Sequence, residues 1–274
     1  SWAAEAWKPR RGTPQVPEVA GDRPADRATR QRLQRADSYG DGKLEAEEAL
    51  AEGLAMPTAK HCRAVCLRLP DVIGPYDDTF RLWAYWHWLR LGAQHPVQVR
   101  DARGAKRPRQ EETMEGEIPA DPPLAFVFSR DVARFIVALI GAELPPNAPQ
   151  CDSVNLGCEE QLPLPEFLTT LAKASGFGTS PAFLEVKRPR TFLPSVDRPW
   201  PLGFVHLKND FAFRPTPLHK VLECCAEWFA DACGKFPDEA RKAAKKCPGP
   251  AGKAACERIG ASVASSSSSG SSSS

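Results

Sequence analysis

The stretch D-S-Y-G-D-G-K-L-E-A-E-E, from Asp37 to Glu48, has two incompatible interpretations that lead to different folds. As a calcium loop of the EF-hand type, it places suitable residues at six positions of the motif, namely Asp37, Asp41, Gly42, Leu44, Glu45 and Glu48. As the start of a helix, it places Tyr39 and Lys43 four residues apart, so that both side chains lie on one face. The rest of the chain must decide between a calcium-binding module and an enzyme.

The calcium interpretation is weakened by the third position of the loop. Tyr39 occupies that position, and its side chain supplies neither the carboxylate nor the amide oxygen that a calcium site requires. No second loop of this kind occurs in the sequence, although such loops usually work in pairs. A lone calcium loop at 37–48 is kept as one alternative.

The composition predicts a globular protein without a nucleic-acid or membrane partner. The 274 residues allow one large or two modest domains, and the hydrophobic content of 42% is ample for a core. The formal net charge of +2 implies no polyanionic partner, and no uncharged run of 18 apolar residues occurs. The nine cysteines lack the spacing of a disulfide or zinc framework. We therefore expect reduced, buried thiols, no metal site, and a reducing intracellular compartment, either the cytoplasm or an organelle.

Strand and helix patterns alternate along residues 1–233, which predicts one α/β domain. Residues 101–123 form a charged, proline-containing loop insertion within it. Residues 79–91 predict an aromatic helix whose rings, together with His87, fill a core. Residues 234–274 turn into Lys/Ala-rich sequence and then polyserine, so we expect them to be disordered.

Four motifs follow one another in an ordered series. They are Y-G-D-G-K at 39–43, R-L-P-D-V-I-G-P at 68–75, F-V-F-S-R-D-V-A at 126–133, and N-L-G at 155–157 with F-R-P-T-P-L at 213–218 before a final helix. In this order and spacing they resemble the extended short-chain dehydrogenase/reductases, the family of NAD-dependent epimerases and dehydratases. The resemblance covers roughly residues 1–233, but only the second half of the family's domain.

The resemblance implies the C-terminal part of a Rossmann-like, doubly wound parallel sheet with a small α/β substrate-binding region. It also implies NAD or NADP as cofactor. The family's glycine-rich loop, G-x-x-G-x-x-G after the first strand, has no match in the sequence. We therefore expect that the nucleotide-binding half lies upstream of Ser1 or was never present. On that expectation the chain is a fragment, inactive alone, with most of its cofactor site missing.

The resemblance makes Tyr39 and Lys43 the catalytic pair and places both at the cofactor. An ammonium close to a phenol favours the phenolate, so the tyrosine can take or give a proton while a hydride moves. The resemblance further implies that Lys43 holds the nicotinamide ribose. The alternative is an exposed tyrosine beside a solvated lysine, which is common on any helix.

Several further positions follow from the resemblance. Ser1 is the candidate for the hydroxyl that binds the substrate oxygen, unless it is only a frayed terminus. Pro70 is the candidate for a contact with the cofactor. Asp71 is the candidate for substrate binding, because it stands where the family has an asparagine that faces the substrate. Leu124 and Ala125 occupy the place of the arginine that binds the diphosphate of nucleotide sugars in the family.

The predicted function is an NAD(P)-dependent oxidoreductase, epimerase or dehydratase. It acts on a hydroxyl or carbonyl of a small molecule, and a sugar derivative is one substrate that the resemblance allows. A homodimer is one arrangement that it also allows. The alternative is a non-catalytic binding or scaffold protein on a degenerate Rossmann fold, which Asp71 and the replaced arginine favour.

Overall fold

The computed structural model describes residues 27–36, 38–91, 97–100, 123–142, 149–178, 181, 183–186, 201–247, 253–257 and 259. Within them the helices are α1 (Arg27–Ala36), α2 (Ser38–Leu54), α3 (Arg81–Arg90), α4 (Ser129–Gly141), α5 (Leu164–Ala174), α6 (Val205–Asn209), α7 (Leu218–Lys235) and α8 (Pro237–Lys245). The strands are β1 (Ala64–Arg68), β2 (Asp71–Ile73), β3 (Val97–Arg100), β4 (Phe126–Phe128), β5 (Cys151–Asn155) and β6 (Phe183–Val186).

The strands pair in parallel: β1 with β5, β2 with β4, and β3 with β6. Parallel neighbours need long crossover connections, and helices α3 and α4 lie in the stretch that joins β1 to β5. The prediction of an α/β fold built on parallel strands is confirmed.

The apolar run that leads into the motif at 68–75 divides into two strands rather than one. β1 ends at Arg68 and β2 begins at Asp71, with Leu69 and Pro70 between them. Pro70 has no N–H group to donate to a strand ladder, so the pairing cannot continue through it. The chain therefore changes partner there, from β5 to β4.

Helix α3 forms the centre of the larger hydrophobic core. Its residues Leu82 to Leu89 are all buried, as expected for a helix that is apolar all round. The indole of Trp83 stacks on the ring of Phe229 from α7, with centroids 5.6 Å apart, and on the ring of His87 at 5.8 Å. The prediction that this aromatic helix fills a core is confirmed. No helix in the described part of the chain has the length and apolar character needed to cross a membrane.

The prediction of disorder from residue 234 onwards is wrong for the first part of that segment. Helix α8 packs against α3 and α7, and Ala240, Ala243 and Ala244 are 0% exposed. Their spacing of three and four residues puts them on one face, while most of the charged residues of α8 lie outside that face. Alanine is also the strongest helix former, so the composition favours order here. Residues 248–252, 258 and 260–274 lie outside the described residues, as do 101–122 of the loop insertion.

The calcium-loop alternative is also wrong. A calcium loop wraps twelve residues of irregular backbone around one ion, with oxygen ligands converging from several directions. Helix α2 instead runs without interruption from Ser38 to Leu54. In a helix the backbone carbonyls accept hydrogen bonds along the axis and the side chains point outwards. Asp37 itself lies outside the described residues.

Candidate functional site

Helix α2 carries Tyr39 and Lys43 close to its first residue. The Tyr39 side chain is 77% exposed, and Lys43 is exposed as well. Lys43 Nζ lies 5.3 Å from the centroid of the Tyr39 ring, so the ammonium lies over the aromatic face. The structure thus brings the two predicted residues together and leaves both of them open to solvent.

A bidentate ion pair fixes α2 against the end of β1. Arg68 Nε donates to Glu47 Oε1 at 3.0 Å, and Arg68 Nη2 donates to Glu47 Oε2 at 2.5 Å. Both side chains are largely buried, with 12% exposure for Arg68 and 24% for Glu47. Such a paired, charge-assisted contact gives one orientation and not merely attraction.

The ion pair also sets where the tyrosine lies relative to the sheet. The end of α2 connects through the turn Pro57–Ala59 to the start of β1, and Glu47 contacts the other end of that strand, so we infer that helix and strand run in opposite directions. Because a helix rises by about 1.5 Å per residue, Lys43 lies about 6 Å and Tyr39 about 12 Å beyond Glu47 along the axis. Both side chains therefore project past the carboxyl end of β1, where open α/β sheets bind their ligands.

Pro70 and Asp71 follow directly at that end of β1. Pro70 is buried, and Asp71, the first residue of β2, is 8% exposed. Arg81 Nη1 at the start of α3 lies 3.9 Å from Asp71 Oδ1. A buried carboxylate needs such a partner, because an isolated charge away from water is costly.

The motif that contains Asp71 ends in a close approach that favours glycine. A Cβ atom on Gly74 would lie 2.2 Å from Oγ of Ser129, the first residue of α4, and 3.2 Å from its Cβ. A side chain at residue 74 would therefore force the Ser129 hydroxyl to rotate away and would still lie close to Ser129 Cβ. This contact ties the motif at 68–75 to the motif at 126–133.

Asp131 joins that second motif to the segment before α7. Its carboxylate is fully buried and accepts hydrogen bonds from the backbone N–H of Thr216 at 2.6 Å and from Thr216 Oγ1 at 2.9 Å. Arg134 Nη1 donates to the same carboxylate at 2.5 Å. The aspartate thus fixes the F-R-P-T-P-L segment.

The N-L-G motif at the end of β5 has a similar structural role. The amide of Asn155, which is 2% exposed, donates to the carbonyl of Gly203 at 3.0 Å. A Cβ atom on Gly157 would lie 2.9 Å from the carbonyl oxygen of Phe126, so this position requires glycine. The motif therefore joins the carboxyl end of β5 to the start of β4 and to the segment after residue 201.

Of the remaining predicted positions, the structure describes Leu124 and Ala125 but not Ser1. Leu124 and Ala125 are 0% and 4% exposed, so uncharged, buried side chains stand before β4. Ser1 lies outside the described residues, so its predicted catalytic role stays a prediction.

A histidine that no sequence pattern revealed lies between two carboxylates. His206 Nε2 is 2.9 Å from Asp152 Oδ2 of β5, and His206 Nδ1 contacts Asp210 Oδ2. Burial opposes the charge of the imidazolium, but the hydrogen bonds to Asp210 and Asp152 outweigh it and raise the pKa of His206. The spacing of His206 and Asp210 is helical and could have revealed half of the group. Asp152 is 54 residues away in sequence and left no local signal.

Comparisons with known proteins find this fold among epimerases. A UDP-N-acetylglucosamine 4-epimerase from Methanobrevibacter ruminantium, solved with UDP-N-acetylmuramic acid, is 12% identical with a TM-score of 0.53, covering 84% of this chain. A UDP-glucuronic acid 4-epimerase from Bacillus cereus, solved with NAD, is 17% identical with a TM-score of 0.50, covering 83% of this chain. No protein-family model and no curated protein matches the chain.

At these identities the likeness shows the fold. The resemblance to the NAD-dependent epimerases and dehydratases is therefore confirmed at the level of a Rossmann-like α/β architecture. The chain spans 60% and 59% of the lengths of the two solved epimerases.

Proposed function

We propose that the chain carries part of the active site of an NAD(P)-dependent epimerase, dehydratase or reductase. Its substrate is a small molecule that reacts at a hydroxyl or a carbonyl, and we infer a sugar derivative because both similar structures are named for sugar nucleotides. The observation that supports this most is the placement of Tyr39 and Lys43. They share one helix face, and the Glu47–Arg68 pair sets that face past the carboxyl end of β1.

In this proposal each residue of the pair has its own role. Tyr39 gives a proton to the substrate oxygen, or takes one from it, and the ammonium of Lys43 lies over its ring, 5.3 Å from the centroid. Lys43 would also hold the nicotinamide ribose, and Pro70 would contact the cofactor. The exposed phenol and ammonium at the ligand-binding end of the sheet fit such a group. The nicotinamide, when bound, supplies the hydride acceptor or donor.

Asp71 defines which substrates suit the site. The guanidinium of Arg81, 3.9 Å away, offsets the charge of its carboxylate, whose oxygens can accept hydrogen bonds from hydroxyl groups. The buried apolar residues Leu124 and Ala125 supply no positive charge before β4. We therefore propose that the part of the substrate that reaches Asp71 is neutral and carries hydroxyl groups.

The test uses the protein as its gene encodes it and measures NADH binding by fluorescence and turnover on a panel of sugars and alcohols. Tyr39→Phe should lower turnover by at least about 100-fold, the lower range for a positioned acid–base group, and should spare cofactor binding. Lys43→Met should weaken cofactor binding as well. Lys60→Met, a matched change at an exposed lysine outside the site, should alter neither. Unchanged turnover in Tyr39→Phe would remove the tyrosine from the mechanism.

A second candidate is a binding or scaffold protein on the same fold without catalysis. The 77% exposure of Tyr39 favours it, because proton-transfer sites gain from excluding water. A protein that binds neither NADH nor NADPH and turns over no member of the panel would support this candidate. Turnover that depends on Tyr39 would exclude it.

A further inference from the structure

The loop between β2 and α3 presents an aromatic corner that the proposed reaction does not use. The Tyr76 side chain is 75% exposed, and its ring centroid lies 5.3 Å from that of Trp228 on α7, with the two planes at 57°. The exposed tyrosine and the partly exposed tryptophan thus meet at an angle. We call this pair the Tyr76–Trp228 corner.

The backbone of this loop is held in an unusual conformation. Tyr76 has a φ of 65° and Phe80 a φ of 55°, both in the left-handed region that non-glycine residues rarely occupy. Such conformations persist only where the surrounding structure fixes them, and they concentrate at ligand sites. Here the Asp77 carboxylate accepts a hydrogen bond from the Thr79 backbone N–H at 2.9 Å.

The second ring of the corner is fixed from behind by the core. Trp228 packs edge-on against Trp83 at 5.2 Å and against Phe229 at 5.6 Å. One wall of the corner is therefore rigid, and the other belongs to a constrained loop. A ligand that enters would cost little ordering of the protein.

Acidic residues adjoin the corner, while two basic residues near it, Lys246 and Arg130, lie over the rings of Phe80 and Phe128. Asp77 and Asp78 follow Tyr76 directly in the chain. Asp77 also lies near α7: burial, then Cys224 and then the Asp77 carboxylate raise the pKa of the Cys225 thiol, one turn before Trp228. The nearby Lys235 is neutralised by Asp231, whose Oδ2 lies 2.8 Å from Lys235 Nζ.

The same loop already shows how it binds an ammonium group. Lys246 Nζ lies 5.6 Å from the centroid of the Phe80 ring and donates a hydrogen bond to the Thr79 carbonyl. An aromatic face and an oxygen acceptor together hold this ammonium. The Tyr76–Trp228 corner offers the same two kinds of group, yet no lysine or arginine of the described residues lies over either ring.

We propose that the Tyr76–Trp228 corner is a binding site for an alkylammonium ligand. The cation lies between the two ring faces, and Asp77 and Asp78 supply the countercharge. The proposal does not rely on Tyr39 or Lys43 and needs no cofactor.

The test compares choline with 3,3-dimethylbutan-1-ol, which has the same shape without the charge. Binding is followed by NMR on the indole N–H signal of Trp228, which Trp228→Phe identifies. Choline should shift this signal in a saturable way, and the neutral alcohol should not. Tyr76→Ala should weaken choline binding roughly two- to thirty-fold, the range of one cation–π contact. Asp77→Asn should also weaken it, because the local negative charge falls.

Tyr39→Ala is the matched control, since it removes an equally exposed ring that already has its own lysine above it. It should leave choline binding unchanged. Three results would overturn the proposal: an equal effect of the neutral alcohol, unaltered binding in Tyr76→Ala, or no saturable shift up to about 0.1 M choline, where a millimolar site would be filled. None of them bears on the proposed reaction, which has its own test.

Discussion

Helices α2 and α3 differ most in how many of their side chains are buried. Of the side chains described in α2, only Asp41 and Leu54 are buried, and the candidate catalytic pair is among the exposed ones. In α3 every residue from Leu82 to Leu89 is buried, and the rings pack against α7 and α8. Helix α2 exposes polar side chains to solvent, whereas the side chains of helix α3 pack in the core.

The difference indicates that the residues that stabilise the fold are not the residues proposed to react, which we call the separation of stability from chemistry. Burial of large aromatic side chains contributes the most to folding, whereas exposed side chains usually contribute within about 0.5 kcal/mol. Residues of α2 can therefore be replaced to test function without unfolding the protein. Residues of α3 cannot be replaced in that way.

Removal of Trp83 should produce the largest effect. Trp83 is 1% exposed and lies between the rings of Phe229 and His87. Trp83→Ala leaves a large cavity at the centre of the core and should lower the free energy of unfolding by about 3–5 kcal/mol. Urea unfolding followed by far-UV circular dichroism measures this change.

Tyr39→Ala is the comparison variant for Trp83→Ala, because it removes an aromatic ring from α2. It should change the free energy of unfolding by less than about 0.5 kcal/mol. Similar losses in the two variants would contradict the separation of stability from chemistry.

A charge on the inner face of α8 should have the next largest effect. Ala243 is 0% exposed, so Ala243→Lys places an ammonium in the core and should cost about 2–3 kcal/mol. Ala230→Lys, at an exposed position of α7, should cost less than about 0.5 kcal/mol in the same unfolding assay. Equal effects would show that α8 does not pack against α3.

The error over α8 shows what composition alone misses. Residues 237–247 are rich in lysine and alanine and carry few bulky apolar side chains, which is typical of a disordered tail. The spacing of Ala240, Ala243, Ala244 and Cys247 nevertheless makes one small-residue face, and that face fits closely against α3. A periodicity test of this segment would have predicted the helix, but not its partner.

Motif order predicted more than any single motif did. It gave the parallel α/β fold and the helix that carries Tyr39 and Lys43. It could not predict the long-range hydrogen bonds that hold distant segments together, such as those of Asp131 with Thr216 and of His206 with Asp152. These contacts join residues that are far apart in sequence, and only the folded chain brings them together.

His87 and His206 should make the free energy of unfolding depend on pH in opposite directions. Burial lowers the pKa of His87 in α3 to about 3. Between the ordinary pKa of about 6.5 and pH 3, the unfolded chain binds a proton that the folded chain does not. Stability should therefore fall by up to about 1.4 kcal/mol per pH unit as the pH drops through this window.

His206 has a raised pKa, so the sign is reversed. Its contribution is fully present below pH about 6.5 and is lost as the pH rises through its folded pKa. His206→Gln should cost about 1 kcal/mol at pH 6 and little at pH 9, while His87→Phe should flatten the acid side of the stability profile. A profile that changes in the same direction in both variants would contradict these assignments.

The smallest effect on stability should come from the pair that orients α2. Glu47→Gln removes the charge from a contact whose side chains are 24% and 12% exposed, and should lower the free energy of unfolding by about 1 kcal/mol, because the glutamine amide oxygen can still accept one hydrogen bond from Arg68. The local consequence should be larger than the global one. Without the bidentate contact, the first turns of α2 open more often, and amide hydrogen exchange should rise around Tyr39 and Lys43 while α3 stays protected. Glu52→Gln, on an exposed face of the same helix, should leave the exchange unchanged. Faster exchange confined to α2 would make Glu47 the residue that positions the candidate catalytic pair, whereas a uniform rise over α2 and α3 would show that the two helices are not energetically separate.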